Sequence, residues 1–495
     1  MKRLTGLEAL LFVLTILLVF LMAARTPLES DLWWHLRAGQ TTWETGRPLL
    51  SDAFSYTRQG IAWVNHSWLA QVLFYGAYSW GGYLALGVLV ALFATISMVF
   101  VYLQMEGPGL LRAFVTVLAA LMAAWVWSAR QQVISLAMFA ALAYVLYLYQ
   151  RRGIDRLWLV PVIMLVWSNL HGGYVLGGML LFTTLGGELL NHALCWEDAE
   201  PMPWRKLWRL FLWSALAGVA VLVNPNGVDT WLIPFQTVGV KALQQFISEW
   251  ASPDFHDVAQ QPMLWMMFGL LMAVGLSRRR LDGVDLLNVV VFGYAAFVAR
   301  RNFGPFALVS APVLSRHLWP MLSGWWQRLA NLRQRLPFGD RLGTQKDLPL
   351  VVSKTINLMI VALIALVAFI KLYVVTQPSL VDAYLRAGSP VRAVNWIAEH
   401  HPQGRLFNSY NWGGYLIWAL PEYPVFVDGR TDLYGDEIIG EWMRIVQADE
   451  GWQERLTHWQ VNLILIEPDR PLVQALSEAG WVVLYQDEMS VVYGR

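Results

Sequence analysis

Long runs of apolar residues recur along the chain, and they restrict its fold more than any other feature. A helix needs about 20 apolar residues to cross a bilayer core. Eleven segments approach that length, at residues 7–24, 82–105, 110–127, 132–149, 157–170, 174–190, 207–223, 262–276, 284–299, 303–319 and 355–376. The chain is 57% hydrophobic and 14% charged, whereas soluble domains are roughly 45–50% apolar and about 25% charged. The sequence therefore predicts an α-helical polytopic membrane protein with about 11 transmembrane helices.

The positions of arginine and lysine predict the orientation of these helices, because both residues accumulate in cytoplasmic loops. With a cytoplasmic N-terminus, the even-numbered connections hold the basic clusters 151–156, 205–209, 278–280 and 328–354. The odd-numbered connections are poorer in basic residues and are predicted to be external: 25–81, 128–131, 169–174, 224–261 and 300–302. Lys and Arg together (36) almost equal Asp and Glu (35), so no overall charge indicates a nucleic-acid partner.

Residues 377–495 follow the last predicted span and have a different pattern. "PVRAVNWIAEHH" and "PLVQALSEAG" are typical of helices, and "RLFNS", "PVFVDG", "NLILIEP", "WVVLYQ" and "SVVYG" are typical of strands. Alternating strands and helices predict a small external α/β domain. We therefore expect two units, a membrane core at residues 1–376 and an extracytoplasmic domain at residues 377–495.

The connection between the first two spans, residues 25–81, is much longer than the usual loop of about 4–6 residues. Its many aromatic residues argue against disorder. No helix breaker occurs from Asp31 to Ala38, so Asp31 and His35 are predicted to lie one turn apart on a short helix that Gly46 and Pro48 end. A second amphipathic stretch, residues 66–80, suits the membrane interface.

The acids that open this loop, Glu29-Ser30-Asp31, allow two interpretations. All three residues suit a helix N-terminus, so a capping role is one of them. The other is a resemblance: the segment resembles the modified Asp-X-Asp motif in the first external loop of the C-type (GT-C) glycosyltransferases. "DLWWHLRAGQTTWETGRPLLSDAFSYT" and "WLAQVLFYGAY" resemble the same loop of bacterial members.

The resemblance implies a GT-C-like enzyme of the bacterial inner membrane that takes a sugar from a polyprenyl-phosphate carrier. It implies an inverting transfer to a glycan, lipid or protein acceptor, with Asp31 as the general base. Proximity to lipid is expected to raise the pKa of Asp31. Glu29 could orient an acceptor, help to bind a divalent cation or cap the helix. Asp52 is a candidate for the acceptor site, with a turn-capping role as the alternative.

The carrier phosphate requires cations at the external ends of spans. Arg300 and Arg301 depart from the cytoplasmic bias of basic residues, and Arg130 lies in a similarly tight external connection. Arginine suits bidentate contact with phosphate oxygens, whereas snorkelling to lipid headgroups is the alternative. Lys241 and Glu249 are further candidates in the same region.

Two polar groups are open to a structural or a functional interpretation. His171, in "SNLHGGY", either satisfies backbone groups at a helix break or faces the substrate cavity. Glu29, Asp31 and His35 form a conceivable metal site, although no established metal motif is present. The expected cofactor is therefore either none or a divalent cation.

The external domain contains the stretch 407–437, which is rich in amide, aromatic and charged residues. Trp412, Asp428 and Arg430 are candidates for acceptor binding, because aromatic rings cover sugar faces while polar groups bond hydroxyls. The alternative for Asp428-Gly429-Arg430-Thr431-Asp432 is a turn with an internal salt bridge.

Two rival functions remain at this point. A transporter or flippase for a lipid-linked or polar substrate also fits eleven spans, but no repeated halves and few mid-span acids are seen. A catalytically inactive assembly protein is the other rival. Membrane lipids are expected partners in every case.

Overall fold

The structure, a computed structural model, describes residues 6–194, 201–239, 247–277, 279–334 and 350–495. The helices up to residue 375 are α1 (Gly6–Ala23), α2 (Leu32–Thr45), α3 (Trp68–Gln104), α4 (Gly109–Ala123), α5 (Gln132–Arg152), α6 (Leu159–Leu170), α7 (Tyr174–Leu194), α8 (Trp204–Ala220), α9 (Asp229–Gly239), α10 (Gln261–Leu276), α11 (Gly283–Val298), α12 (Phe303–Gln334) and α13 (Leu350–Val375). Cys195, Lys241 and Arg278 lie outside the described residues.

Each of the eleven predicted spans falls on one of these helices. Six described helical segments are long and apolar enough to cross a membrane: Gly6–Ala23, Trp68–Gln104, Gly109–Val126, Gln132–Arg152, Val258–Leu276 and Val351–Val375. Leu159–Leu170 and Gly283–Val298 are apolar but shorter, and a 12-residue helix spans only about 18 Å. The prediction of a helical polytopic membrane protein is confirmed, while the count of eleven crossings stays a prediction.

The connection between the first two spans folds against the bundle. Helix α2 begins after Asp31 and ends at Gly46, whose positive φ of 66° closes the helix. Helix α3 contains both the predicted amphipathic stretch and the second span. Gly81 and Gly82 leave helical geometry between them, with φ of 58° at Gly82, so the chain changes direction where the predicted span begins.

Residues 377–495 form helices around a small sheet. The helices are α14 (Pro378–Gly388), α15 (Val391–His400), α16 (Gly413–Ala419), α17 (Thr431–Val446), α18 (Trp452–His458) and α19 (Pro471–Glu478), and the strands are β1 (Arg405–Asn408), β2 (Val461–Ile466), β3 (Val482–Gln486) and β4 (Val491–Gly494). The strand order is β1-β2-β4-β3. Strands β1 and β2 are parallel, and β4 is antiparallel to both β2 and β3.

One predicted strand is wrong. "PVFVDG" does not join the sheet, and its bridge is an isolated one between Val425 and Ser55. The side chain of Asn408 takes the place of a neighbouring strand, because it accepts from Phe426 N at 2.8 Å and donates to Val427 O at 2.8 Å. Its amide therefore satisfies buried backbone groups that a ladder would otherwise pair.

Residues 25–81 and 377–495 pack together on one side of the bundle, called the loop side below. The ring of Trp33 on α2 lies 5.5 Å from that of Tyr415 on α16, measured between centroids. Trp33, Trp412 and Tyr415 belong to the same buried cluster as residues of the membrane helices. The loop side is therefore built from both ends of the sequence.

Candidate active site

A cavity of about 780 Å³ opens at the loop side. Its polar lining residues include members of the segments 29–35, 130–135, 248–249, 301–302 and 410–432. Its apolar lining residues on α7, α9 and the start of α12 are called the apolar wall below. The lining includes Glu29, Asp31, His35, Arg130, His171, Glu249, Arg301, Tyr410, Thr431 and Asp432, so it brings together seven of the candidates named from the sequence.

Asp31 occupies the N-cap position of α2, but its side chain does not cap the helix. Its Oδ2 lies 2.5 Å from Arg130 Nη2, and its Oδ1 accepts from Trp34 Nε1 at 3.2 Å. The backbone N–H of Asp31 instead donates to Glu29 Oε2 at 2.9 Å. Glu29 therefore caps this turn, and the Asp31 carboxylate is directed to the cavity cation.

Arg130 is surrounded by three carboxylates. Besides the contact with Asp31, its Nη1 lies 3.2 Å from Glu249 Oε2 and its Nε lies 3.4 Å from Glu29 Oε2. The short connection between α4 and α5 holds this arginine beside the start of α2. Guanidinium groups suit such multiple contacts because their five N–H donors lie in one plane.

The charges in this cluster shift one another's pKa values. Burial raises the pKa of Asp31 to about 7. The charge of Arg130 acts to lower this pKa, and the charge of Glu29 acts to raise it. Burial opposes ionisation of Glu249, but Arg130, Arg301 and a hydrogen bond from Gln132 lower its pKa overall. Asp31 is consequently a carboxyl group that titrates near neutral pH.

The two neighbouring arginines have different surroundings. Arg301 lines the cavity, where its guanidinium stacks 4.4 Å above the Trp250 ring and its Nη1 lies 3.5 Å from Glu249 Oε1. Arg300 is turned away from the cavity, since its Nε donates to Ser248 O at 2.6 Å and its guanidinium lies over Trp125. The structure therefore brings Arg301, and not Arg300, to the cavity.

Three histidines lie along the cavity. His35 is buried, and neither ring nitrogen has a hydrogen-bond partner among the described residues. Burial, followed by the charge of Arg130, holds its pKa well below the usual value. The ring of His66, which also lines the cavity, lies 6.0 Å from that of His171.

His171 has a defined tautomer. Trp167 Nε1 donates to Ser135 Oγ at 2.7 Å, and Gly173 N donates to His171 Nδ1 at 3.2 Å. Because Nδ1 accepts, the 2.6 Å contact with Ser135 Oγ is donated by the hydroxyl. The ring proton is therefore on Nε2, and the residue serves both the helix break and the cavity wall.

Asp52, Asp428 and Arg430 form a buried network instead of lining the cavity. Arg430 Nη1 lies 2.7 Å from Asp52 Oδ1, and its Nη2 lies 2.7 Å from Asp428 Oδ2, with all three side chains fully buried. Tyr434 OH also donates to Asp428 Oδ2 at 2.6 Å. Their burial contradicts direct contact with an acceptor and supports the alternative of an internal salt bridge, extended here to the first loop.

Trp412 is also buried and lies outside the cavity lining. The preceding residues Tyr410 and Asn411 line the cavity in its place, together with Thr431 and Asp432. Within the predicted stretch, the ring of Trp412 therefore packs into the core while polar neighbours line the cavity.

Gly429 explains why the Asp-Gly-Arg stretch approaches α2 so closely. A Cβ atom at this position would collide with the Asp31 carboxylate and would lie 3.4 Å from Trp34 Nε1. The 428–430 turn therefore packs directly against the Asp31 carboxylate, and only glycine at position 429 leaves room for that carboxylate.

The proposed metal ligands do not form a metal site. Among the described residues, no group of three or more His, Cys, Asp or Glu side chains is arranged to hold a metal ion. The oxygens of Glu29 and Asp31 are directed to Arg130 instead.

Comparison with known proteins identifies the fold. No protein-family model matches the sequence, and no curated protein matches it significantly. Among solved structures, ArnT from Cupriavidus metallidurans bound to undecaprenyl phosphate superposes with a TM-score of 0.55 and 15% identity, covering 99% of this chain and 98% of that chain.

Two further structures are similar over most of this chain. The archaeal oligosaccharyltransferase AglB from Archaeoglobus fulgidus, in complex with an inhibitory peptide and a dolichol-phosphate, gives a TM-score of 0.58 at 12% identity and covers 92% of this chain and 69% of its own. The mycobacterial arabinofuranosyltransferase AftD gives 0.52 at 15% identity, covering 100% of this chain and 40% of its own. At such identities the likeness establishes the fold, and the chain is a polytopic membrane protein with the fold of the GT-C glycosyltransferases.

Proposed function

We propose that the protein is an inverting glycosyltransferase that moves a sugar from a polyprenyl-phosphate carrier to an acceptor, with Asp31 as the general base. One observation carries the proposal: a single cavity combines the Asp31 carboxylate, the cations Arg130 and Arg301, and an apolar wall. These are the groups that a lipid-linked anionic donor and an attacking hydroxyl require.

In the proposed reaction, the acceptor oxygen forms a bond to the anomeric carbon while the bond from that carbon to the phosphate oxygen breaks. The hydroxyl proton passes to Asp31, and the phosphate leaves with the bonding electron pair. Attack opposite to the leaving group inverts the anomeric configuration. A pKa of about 7 for Asp31 suits a general base, because basicity and ionisation are then balanced near neutral pH.

Arg301 is the better placed of the predicted external arginines to bind the departing phosphate. Stacking on Trp250 fixes the plane of its guanidinium, and its described ion pair is the 3.5 Å contact with Glu249 Oε1. The guanidinium donors suit phosphate oxygens in place of this carboxylate. Arg130 contributes the second cation and positions Asp31.

The apolar wall supports a lipid-linked donor. Val175 and Leu176 at the start of α7, Ile233 and Pro234 on α9, and Pro305 on α12 all line the cavity that holds the two arginines. A polyprenyl chain would lie against such a wall while its phosphate reaches the cations. Two of the similar structures contain undecaprenyl phosphate or dolichol-phosphate.

The acceptor is assigned to the polar lining from residues 377–495. Tyr410, Asn411 and Asp432 line the cavity, and their hydroxyl, amide and carboxylate groups suit an acceptor hydroxyl of a glycan, lipid or protein. These residues replace Trp412, Asp428 and Arg430 as the proposed contacts.

The proposal places the protein in the bacterial inner membrane with the cavity on the extracytoplasmic side. The distribution of lysine and arginine between alternate connections supports a cytoplasmic N-terminus. Residues 1–376 then form the membrane core, and residues 377–495 form an extracytoplasmic domain over the site.

The test compares three variants of the purified protein in nanodiscs. Thermal stabilisation by polyprenyl phosphate measures carrier binding, and transfer from a panel of polyprenyl-phosphate sugars measures chemistry. Arg301→Ala should weaken carrier binding about 10–100-fold, as loss of about 1.5–3 kcal/mol from a charged contact implies. Arg47→Ala, at an exposed arginine of the first loop that does not line the cavity, is the matched control and should bind as the parent does.

Asp31→Asn should abolish transfer while retaining carrier binding. Transfer at the parental rate by Asp31→Asn would exclude this residue as the base. Equal carrier binding by the parent, Arg47→Ala and Arg301→Ala would exclude the phosphate site and direct attention to transport.

A further inference from the structure

Glu249 bridges the two cavity arginines. Its Oε2 lies 3.2 Å from Arg130 Nη1, and its Oε1 lies 3.5 Å from Arg301 Nη1. Gln132 Nε2 also donates to Oε2 at 3.2 Å. One carboxylate therefore occupies the space between the two cations that the proposed function assigns to the carrier phosphate.

An incoming phosphate would compete with this carboxylate. Among the described lining residues, the third cation is Arg470, whose Nη2 is paired with Glu467 Oε1 at 3.2 Å. Arg130 already contacts Glu29, Asp31 and Glu249. Adding a phosphate while all three carboxylates stay in place would leave excess negative charge in a partly buried site, which is costly.

The three carboxylates are held in different ways. Glu29 accepts the backbone N–H of Asp31, and Asp31 accepts the indole N–H of Trp34, so both are fixed by α2 itself. Glu249 lies on a three-residue turn, Ser248–Trp250, and its described contacts are with Arg130, Arg301 and Gln132. Of the three carboxylates, Glu249 is therefore the one whose position depends most on Arg130 and Arg301, the cations that would bind a phosphate.

We propose that Glu249 is a positioning residue that holds Arg130 and Arg301 in place of the carrier phosphate and is displaced when the phosphate binds. This inference rests on the proposed function. Without an anion between them, the two guanidinium groups repel each other, since the charge of Arg130 acts to lower the pKa of Arg301. The carboxylate keeps both cations at the spacing that the ligand uses, and it lowers the apparent affinity for that ligand because it must first be displaced.

The test measures the affinity of the full-length protein for polyprenyl phosphate, without a sugar, by titration in nanodiscs. Glu249→Gln keeps the shape of the side chain and removes the competing charge. We expect it to bind polyprenyl phosphate at least about tenfold more tightly than the parent, which corresponds to removing one charged contact of about 1.4 kcal/mol. A purely structural role predicts the opposite change, because losing the contact would loosen the site.

Asp254→Asn is the matched control. It removes a carboxylate from the same connection that does not line the cavity and whose described ion pair is with His256, so it reports the general electrostatic effect, expected to be less than about threefold. Equal or weaker binding by Glu249→Gln than by the parent, at an unchanged melting temperature, would overturn the inference. So would an equal gain in the two variants.

The outcomes also separate this inference from the proposed function. If Arg301→Ala loses binding while Glu249→Gln gains none, the phosphate site stands and the positioning role fails. If neither the parent nor Glu249→Gln binds polyprenyl phosphate, the proposed function fails and the inference fails with it.

Discussion

The pH dependence of transfer tests the assignment of Asp31 most directly. Burial raises the pKa of Asp31 to about 7, against an ordinary value near 4 for an aspartate. The ionised fraction of such a group is about 9% at pH 6, about 50% at pH 7 and about 91% at pH 8. If the ionised carboxylate is the base, kcat/KM should rise about tenfold per pH unit below pH 7 and reach a plateau above about pH 8.

The assay is transfer under subsaturating donor, since kcat/KM reports the pKa of the free enzyme, which is the state described here. Asp31→Glu is the useful variant, because it keeps a carboxylate in a cavity whose other charges are unchanged. In Asp31→Glu, kcat/KM should still rise with pH but stay below the parental value, whereas in Asp31→Asn it should not rise with pH. A parental kcat/KM that is constant from about pH 5 to 9, or that reaches its plateau just above pH 4, would refute the reasoning.

Two other predictions concern the contact between the first loop and residues 377–495. Arg430→Met should lower the free energy of unfolding by about 3–5 kcal/mol, because it leaves Asp52 and Asp428 buried without a counter-charge. Arg58→Met is the matched control and should cost about 1 kcal/mol or less, since its partner Glu437 is 76% exposed; similar losses in thermal melting for both variants would contradict the buried network. Gly429→Ala should reduce transfer at least about tenfold by displacing Asp31, as small misplacements at reacting groups are costly. Gly440→Ala, where a Cβ meets nothing within 4 Å, should transfer at the parental rate, and a normal rate in Gly429→Ala would argue against the close contact.

The features that local pattern determines could be predicted from the sequence. Apolar runs that approach the length of a membrane span indicate helices, and all eleven predicted segments lie on helices. The helix after Asp31 and its end at Gly46 also follow from neighbouring residues. Arg130 and Arg301 could be selected because external arginines at predicted span ends are uncommon and need a reason. Asp31 could be selected because its segment resembles the Asp-X-Asp motif of the GT-C glycosyltransferases.

Features that depend on distant partners could not be predicted in the same way. Arg300 and Arg301 are adjacent and chemically identical, and only the position of Ser248 decides which of them turns away from the cavity. Asp52 pairs with an arginine 378 residues later in the chain. Glu249 could be named only as a further candidate of its loop, because its contacts with two arginines on other connections arise in the fold.

The bridge between Ser55 and Val425 has a consequence for biosynthesis. The two residues are separated by 370 positions, and chains are made at about 5–20 residues per second. The first loop therefore waits roughly 20–70 s for the segment that covers it. During that interval Trp33 and Trp63, which are buried in the finished protein, stay uncovered at the membrane surface, where a chaperone or the bilayer itself would have to shield them.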